Sequence, residues 1–293
     1  MWFTPLGVGD DGGDGASTAP DAVPFAPCVF YGNPVRLDGL DLGEDEAPTV
    51  NDDGLELMFH SGPTPFDDTD IFVARRLDAP LPFTSFTVAS DLSTDASNDE
   101  TPALAPGGRS IYFASGRLPL IGGTFDIWSA TRAAPDQPWS GLTHEVELSS
   151  ADSDGGATTT ADGLEVFLHR STLPEVGDFD IYSASRSARG DVFGPVGRVS
   201  ALSSTMQDLD PWISPDGLAL YYASNMVGTL GDVDLWLAVR PDRASTFNVI
   251  RHLEGVNTGA AELSPWSSAD GRTLYFSSSR LGTYDLYTAP CIQ

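Results

Sequence analysis

Residues Ser264–Tyr287, SPWSSADGRTLYFSSSRLGTYDLY, run through a Ser-Pro-Trp-Ser stretch, an Asp-Gly turn, an apolar run and an Asp-aliphatic-aromatic triplet. The same order of features recurs upstream. With the turn glycine as marker, the copies fall at Gly54, Gly108, Gly163, Gly217 and Gly271, in steps of 54, 55, 54 and 54 residues. A constant interval of this length, with several short strands per unit, marks a propeller or a related array.

Each unit reads as a short first strand, a turn whose glycine can take positive φ, and an apolar second strand: Leu55–Ser61, Arg109–Ser115, Leu164–Arg170, Leu218–Ser224 and Arg272–Ser278. A loop then leads to a third strand opening on Asp70, Asp126, Asp180, Asp234 or Asp285, and a more polar fourth strand follows. In the second strand Leu57 and Phe59 point one way and Met58 the other, so both faces are apolar and both must be covered. Blades packed face to face around an axis meet that need and leave only short edges. The expected fold is all-β: a five-bladed β-propeller of four-stranded antiparallel blades.

Acid, proline, Ser-Pro-Asp-Gly, Leu-Tyr-Phe-Ser-Ser and Asp-Ile-Tyr, in that order, resemble the TolB-like β-propeller repeat, a relative of WD repeats, over about residues 33–291. Unit 2 departs from it with Pro106-Gly107-Gly108, and unit 3 with Ala157 in place of proline. The resemblance implies an interaction platform rather than an enzyme.

The fifth unit stops after its third strand, whereas Pro34–Asp38 reads as a fourth strand without a blade. The N-terminal strand is therefore expected to complete the last blade and remove its bare edge. Arg76, Arg132, Arg186 and Arg240 stand six residues after the third-strand aspartate in units 1–4; unit 5 has Cys291 there. The other cysteine, Cys28, precedes the closing strand, so the spacing predicts a Cys28–Cys291 disulfide and an oxidising compartment.

The 293 residues carry 42 acids against 15 basic residues, all arginine, for a net charge of −27. Such a chain repels nucleic acid and anionic membrane surfaces. No apolar run is long enough to span a membrane. Residues 1–27, rich in Gly, Asp, Ala and Pro over 9–24, read as a flexible leader before a propeller over 28–293. The expected location is extracytoplasmic (periplasm, cell surface or secreted), with the export signal absent from this chain and the protein a monomer.

Nine residues before each marker glycine stands an acid: Asp45, Asp99, Asp154, Asp208 and Glu262. Strand alternation puts these at one rim together with the third-strand aspartates. Asp68/Asp70, Asp178/Asp180 and Asp232/Asp234 form pairs two residues apart, which extended chain places on one side. They are the candidate metal ligands, for Ca²⁺ if a cation binds; no other cofactor is expected. Recurrence in every blade also fits a plain structural role for the acids.

Function is sought where blades differ. Trp212 and Trp266 replace Thr49, Ala103 and Thr158 in one column, and Trp beside carboxylates suits a sugar ring or a cationic group. His60 and His169 share a column with Ala114, Ala223 and Ser277, and Arg170 replaces serine. With Asp208, Asp210, Glu262 and Arg280 these are the candidate binding residues. No nucleophile motif is present, so the reading is a non-catalytic propeller that binds a protein, a peptide or a cell-envelope glycan through an acidic rim. The alternative is a glycan-active enzyme using Asp208, Asp210 and Glu262 beside the tryptophans.

Overall fold

The computed structural model describes residues 25–40, 42–63, 69–79, 81–94, 96–171 and 179–292. Strand β1, Val35–Arg36, comes first. Blade 1 holds β2 (Glu44–Val50), β3 (Glu56–Gly62), β4 (Asp70–Arg75) and β5 (Thr84–Val88); blade 2 holds β6 (Asp99–Leu104), β7 (Ser110–Ser115), β8 (Asp126–Thr131) and β9 (Ser140–His144). Blade 3 holds β10 (Ser153–Thr159), β11 (Glu165–Ser171), β12 (Phe179–Ser185) and β13 (Gly197–Arg198); blade 4 holds β14 (Asp208–Ile213), β15 (Ala219–Ser224), β16 (Asp234–Val239) and β17 (Val249–His252). Blade 5 holds β18 (Glu262–Ser267), β19 (Thr273–Ser278) and β20 (Asp285–Pro290), with β1 as its outer strand. The first strands of successive blades neighbour one another around the axis, and β18 returns to β2. The fold is the expected five-bladed propeller, and the described residues contain no helix.

The two apolar faces of each second strand go where the pattern requires. Leu57 and Phe59 pack into the seam between blades 5 and 1, and Met58 into the seam between blades 1 and 2. Phe59, Phe113 and Phe276 are fully buried; each buried side chain of this size contributes about 1.5–3 kcal/mol.

Closure is as the sequence predicts. Val35 faces Thr288 and Arg36 faces Tyr287 in antiparallel register, and the Leu37 amide bonds the Leu286 carbonyl at 2.8 Å. Cys28 and Cys291 form a disulfide with Cα atoms 6.0 Å apart. Leader residues 1–24 lie outside the described residues. Residues 25–27, which composition assigns to the leader, pack on the propeller: the Phe25 ring lies 5.6 Å from that of Trp212.

The arginine column shows why blade 5 needs this segment. In blades 1–4 the arginine Nε donates to the carbonyl of its own marker glycine: Arg76 to Gly54 at 2.6 Å, Arg132 to Gly108 at 2.7 Å, Arg186 to Gly163 at 2.6 Å and Arg240 to Gly217 at 2.7 Å. Arg132 and Arg240 also reach across a seam to Glu56 at 2.5 Å and Glu165 at 2.6 Å. Blade 5 has a cysteine there, and Ala26 lies against Gly271 instead, so close that a Cβ on Gly271 would collide with the Ala26 carbonyl oxygen. Main chain thus takes the fifth guanidinium's place.

Candidate functional site

Three residues per blade lie in register across the first three strands at the upper rim: Asp45/Ser61/Asp70, Asp99/Ser115/Asp126, Asp154/Arg170/Asp180, Asp208/Ser224/Asp234 and Glu262/Ser278/Asp285. The first-strand acids are buried. Asp99 accepts from the Thr94 amide at 3.0 Å, Ser115 Oγ at 2.5 Å and Arg117 Nη2 at 2.6 Å. Glu262 accepts from the Thr258 amide at 2.8 Å, Ser278 Oγ at 2.8 Å and Arg280 Nη2 at 3.2 Å. Asp154 accepts from the Ser150 amide at 2.7 Å and Arg170 Nε at 2.5 Å, and Asp208 from the Ser204 amide at 2.5 Å.

Arg170 is irregular in sequence yet regular in space. Its Nη2 donates to the Leu148 carbonyl at 3.0 Å, as Arg280 Nη2 does to Val256 at 2.8 Å and Arg117 Nη2 to Leu92. Three guanidinium groups, from two backbone positions, fill one type of site. Arg170, Arg280, Glu262 and Asp208 therefore serve the rim's own hydrogen bonding.

Four of the third-strand aspartates are likewise engaged by the fourth strand. Asp126 meets His144 Nε2 at 2.9 Å, Asp180 meets Arg198 Nε at 2.6 Å, and Asp234 meets His252 Nε2 at 2.6 Å. Asp285 meets Arg36 of the closing strand at 3.1 Å, so β1 supplies the blade's cation as well as its edge. Of the candidate metal ligands, Asp68 and Asp178 lie outside the described residues. Asp232 is exposed whereas Asp234 is buried, so this pair does not share one environment, and of Asp68 and Asp70 only the second is among the described residues. Among the described residues no group of three or more His, Cys, Asp or Glu side chains is arranged to hold a metal ion.

The channel below the rim is different. Each first strand carries a bulge, and at it one residue per blade takes a left-handed conformation: Ala47 (φ 52°), Thr101 (47°), Gly156 (60°), Asp210 (50°) and Ser264 (52°). Four of these are not glycine, which costs about 1–3 kcal/mol each unless the surroundings enforce it. The preceding blade does so. Thr101 N donates to His60 Nδ1 at 3.2 Å, Asp210 N to His169 Nδ1 at 3.1 Å and Ala47 N to Ser277 Oγ at 3.1 Å. In blade 2 the histidine position is Ala114, and Thr101 Oγ1 serves the Gly156 amide instead at 3.1 Å. The histidine column braces the next blade. Burial lowers the His60 pKa to about 4, against the opposing pull of Asp210. His60 is thus neutral near pH 7, and with Nδ1 accepting an amide its proton sits on Nε2, which can donate but not ligate a metal.

Around these histidines the channel gathers acids in contrasting states. Burial, then Asp210, Glu100, Glu44 and Asp45, hold the Glu46 carboxyl well above the usual range. Burial lifts Glu100 to about 7, with the hydrogen bond from Thr69 Oγ1 opposing and Asp210 and Asp99 adding to the rise. Burial would raise Asp210 too, but contacts from His169, Ser264 Oγ (2.8 Å) and His60 outweigh it and lower its pKa.

Trp212 and Trp266, which the sequence puts on the innermost strand near the acidic rim, lie four residues along it from the rim acids. The bulge and four residues of strand carry them down the channel, where their rings meet at 5.7 Å. Trp266 packs against three of the interblade cores and donates from Nε1 to the Val50 carbonyl at 3.2 Å. Above them the axial cavity is about 30 Å³, room for a water or two. The tryptophans form the floor of the channel.

A larger cavity, about 380 Å³, opens beside the channel mouth between blades 2 and 3, lined by Glu100, Thr101, Phe125, His169, Phe179 and Gln207 among others. The residue before each third-strand aspartate forms a collar: Thr69, Phe125, Phe179, Val233 and Tyr284. Burial, then Glu46, Asp232, Glu44 and Asp210, push Tyr284 up to about 12. Sequence reasoning singled out Asp210, His60 and His169, which the channel brings together. It missed Glu46, Glu100, Phe125, Phe179 and Tyr284. Their signal was the one used for the tryptophans, a column whose residue type changes from blade to blade, but applied to neighbouring columns.

No protein-family model matches the chain, and no curated protein matches it. Solved structures do match in fold. TolB from Acinetobacter baumannii aligns over 86% of this chain and 55% of its own with 15% identity and a TM-score of 0.51. A thermostable family-43 glycoside hydrolase aligns over 87% and 91% with 11% identity and a TM-score of 0.58. The catalytic domain of a GH62 α-L-arabinofuranosidase from Coprinopsis cinerea aligns over 91% and 98% with 10% identity and a TM-score of 0.60. The chain therefore spans about half of that TolB and nearly all of the two hydrolase domains. The fold is that of a TolB-like propeller, and it is shared with glycoside hydrolases.

Proposed function

We propose that the protein is an extracytoplasmic binding module that takes a glycan end into the mouth of its channel. The observation that carries this is the 380 Å³ cavity, which presents two half-buried phenylalanines next to a carboxylate and an imidazole. Aromatic faces with a few convergent polar groups suit a sugar ring. The size suits a small ligand better than the flat surface of a folded partner. The rim acids support no docking role of their own, because they are buried within the blades. The disulfide fits an oxidising compartment. Retention on a panel of cell-envelope and plant polysaccharides tests the reading. The wild-type chain should bind at least one, and Phe125→Ala with Phe179→Ala should weaken it about tenfold or more; retention of none would sink the proposal.

A second reading, glycan cleavage, is favoured by one observation: Glu46 and Glu100 are held towards the protonated form while Asp210 is held ionised in the same channel. Such a split is how one site obtains an acid and a base. Release of reducing sugar that disappears in Glu46→Gln would favour this reading; binding without release would favour the first.

A further inference from the structure

We propose that the mouth cavity selects an amino sugar, a glucosamine-type residue with a free ammonium, over neutral and acidic sugars. This deepens the glycan reading above and rests on it. The cavity is lined by Gly155, where blades 1 and 2 have Glu46 and Glu100 and blades 4 and 5 have leucine. His169 takes the space that a side chain at 155 would need: a Cβ there would be 2.5 Å from Nε2.

The lining then fixes the chemistry. Among the described residues it contains no arginine, and the chain has no lysine. The two carboxylates among its described residues differ in kind. Asp154 is already neutralised by Arg170 at 2.5 Å. Glu100 accepts from the Thr69 hydroxyl at 3.0 Å, and among the described residues no arginine pairs with it. Phe125 and Phe179 enter from equivalent positions of adjacent blades and flank the same cavity. An ammonium entering this cavity would draw Glu100, which burial otherwise holds towards its protonated form, into an ion pair, and the neighbouring phenylalanine rings add a quadrupole attraction. Gln207, Ser153 and Thr124 supply hydrogen-bonding partners for ring hydroxyls. The net charge of −27 adds a long-range pull on cationic ligands and repels uronic acids.

The test is calorimetric titration of the full chain with four trimers: glucosamine, N-acetylglucosamine, glucose and galacturonate. The expected result is glucosamine trimer binding about tenfold or more tighter than its acetylated form, a difference in line with one charge-assisted contact, and galacturonate binding least. Glu100→Gln should collapse the preference to within about threefold while neutral-sugar binding persists. Phe125→Ala, which leaves the charge in place, should weaken all the bound trimers. Equal binding of all four, tighter binding of galacturonate, or a preference that survives Glu100→Gln would each overturn the selectivity and leave the glycan reading standing. Failure of every sugar to bind would overturn both.

Discussion

The rim and the channel are built by the same five first strands, and their key residues sit one and two positions apart. Yet the rim repeats an acid in every blade, and the channel repeats nothing but a backbone conformation. The reason is geometric. Four rim acids each serve an amide of the loop leading into their own strand, Thr94, Ser150, Ser204 and Thr258, so every blade needs its own copy. Side chains below the bulge converge on one axis. Five identical carboxylates there would repel one another and stay protonated, so the chain varies them: Glu46, Glu100, Gly155, Leu209 and Leu263 in one layer, Ala47, Thr101, Gly156, Asp210 and Ser264 in the next. Repetition marks what each blade needs to fold, and divergence marks what the ring as a whole can do.

The sharpest way to break this contrast is to remove an acid from each region. Asp99→Ala strips Arg117 of its buried partner and leaves the Thr94 amide and the Ser115 hydroxyl unserved. Breaking a buried pair from one side costs about 3–5 kcal/mol, which should appear as a large drop in the denaturant midpoint. Glu46→Gln changes a carboxyl already held towards its neutral form, so the midpoint should stay or rise. Equal losses in the two variants would remove the distinction between scaffold and site.

Acidity sharpens the contrast next. His60 has its folded pKa depressed from 6.5 to about 4. The unfolded chain takes up that proton first, so this group's stabilisation is present above pH 6.5 and lost as pH falls to 4. Glu100 is raised from 4.5 to about 7. Here the folded chain holds the proton longer, so stability is lost as pH rises from 4.5 to 7. Each term amounts to at most about 3 kcal/mol at 1.36 kcal/mol per pKa unit, and over the shared window their slopes oppose. His60→Ala, alanine being the residue blades 2 and 4 already use, should therefore steepen the fall in stability from pH 4.5 to 7. Glu100→Gln should instead unmask a loss on acidification below 6.5. Melting curves of the two variants that moved the same way with pH would disprove the opposition.

Much of the scaffold is readable in the chain because its physics is local and repeated. The marker glycines, the doubly apolar second strands and the column that ends in Cys291 give the blade count, the closing strand and the disulfide. The site is less readable. That His60 and His169 both act on Asp210 depends on the ring's curvature, which brings non-neighbouring blades 1 and 3 to one channel. The descent of Trp212 and Trp266 to the floor depends on the bulge, which no residue type announces, since Ala47, Thr101, Asp210 and Ser264 are ordinary residues in a left-handed conformation. Arg170 misleads for a related reason: a long side chain from one position fills a site that Arg117 and Arg280 fill from another.

That substitution of one arginine position for another exposes a gap in blade 4. Blades 2, 3 and 5 each place a guanidinium between the rim acid and a carbonyl, those of Leu92, Leu148 and Val256. The equivalent carbonyl in blade 4 belongs to Leu202, and the position equivalent to Arg117 and Arg280 is Met226. The backbone there is already suitable: the Met226 amide bonds Ser224 Oγ at 3.0 Å, as Arg117 bonds Ser115 at 3.2 Å and Arg280 bonds Ser278 at 3.3 Å. Asp208 Oδ1 is buried without a hydrogen-bond partner. Met226→Arg should serve it and lie over Tyr222 and Trp236 as Arg117 lies over Phe113 and Trp128. The expected gain is about 1 kcal/mol, one charge-assisted bond less the lost methionine packing. A positive charge anywhere relieves a chain of net charge −27, so the control is Val227→Arg, one residue on and almost fully exposed, where the change should stay within about 0.5 kcal/mol. Equal gains at 226 and 227 would mean that only general charge relief is at work, and that the rim of blade 4 is already complete without its arginine.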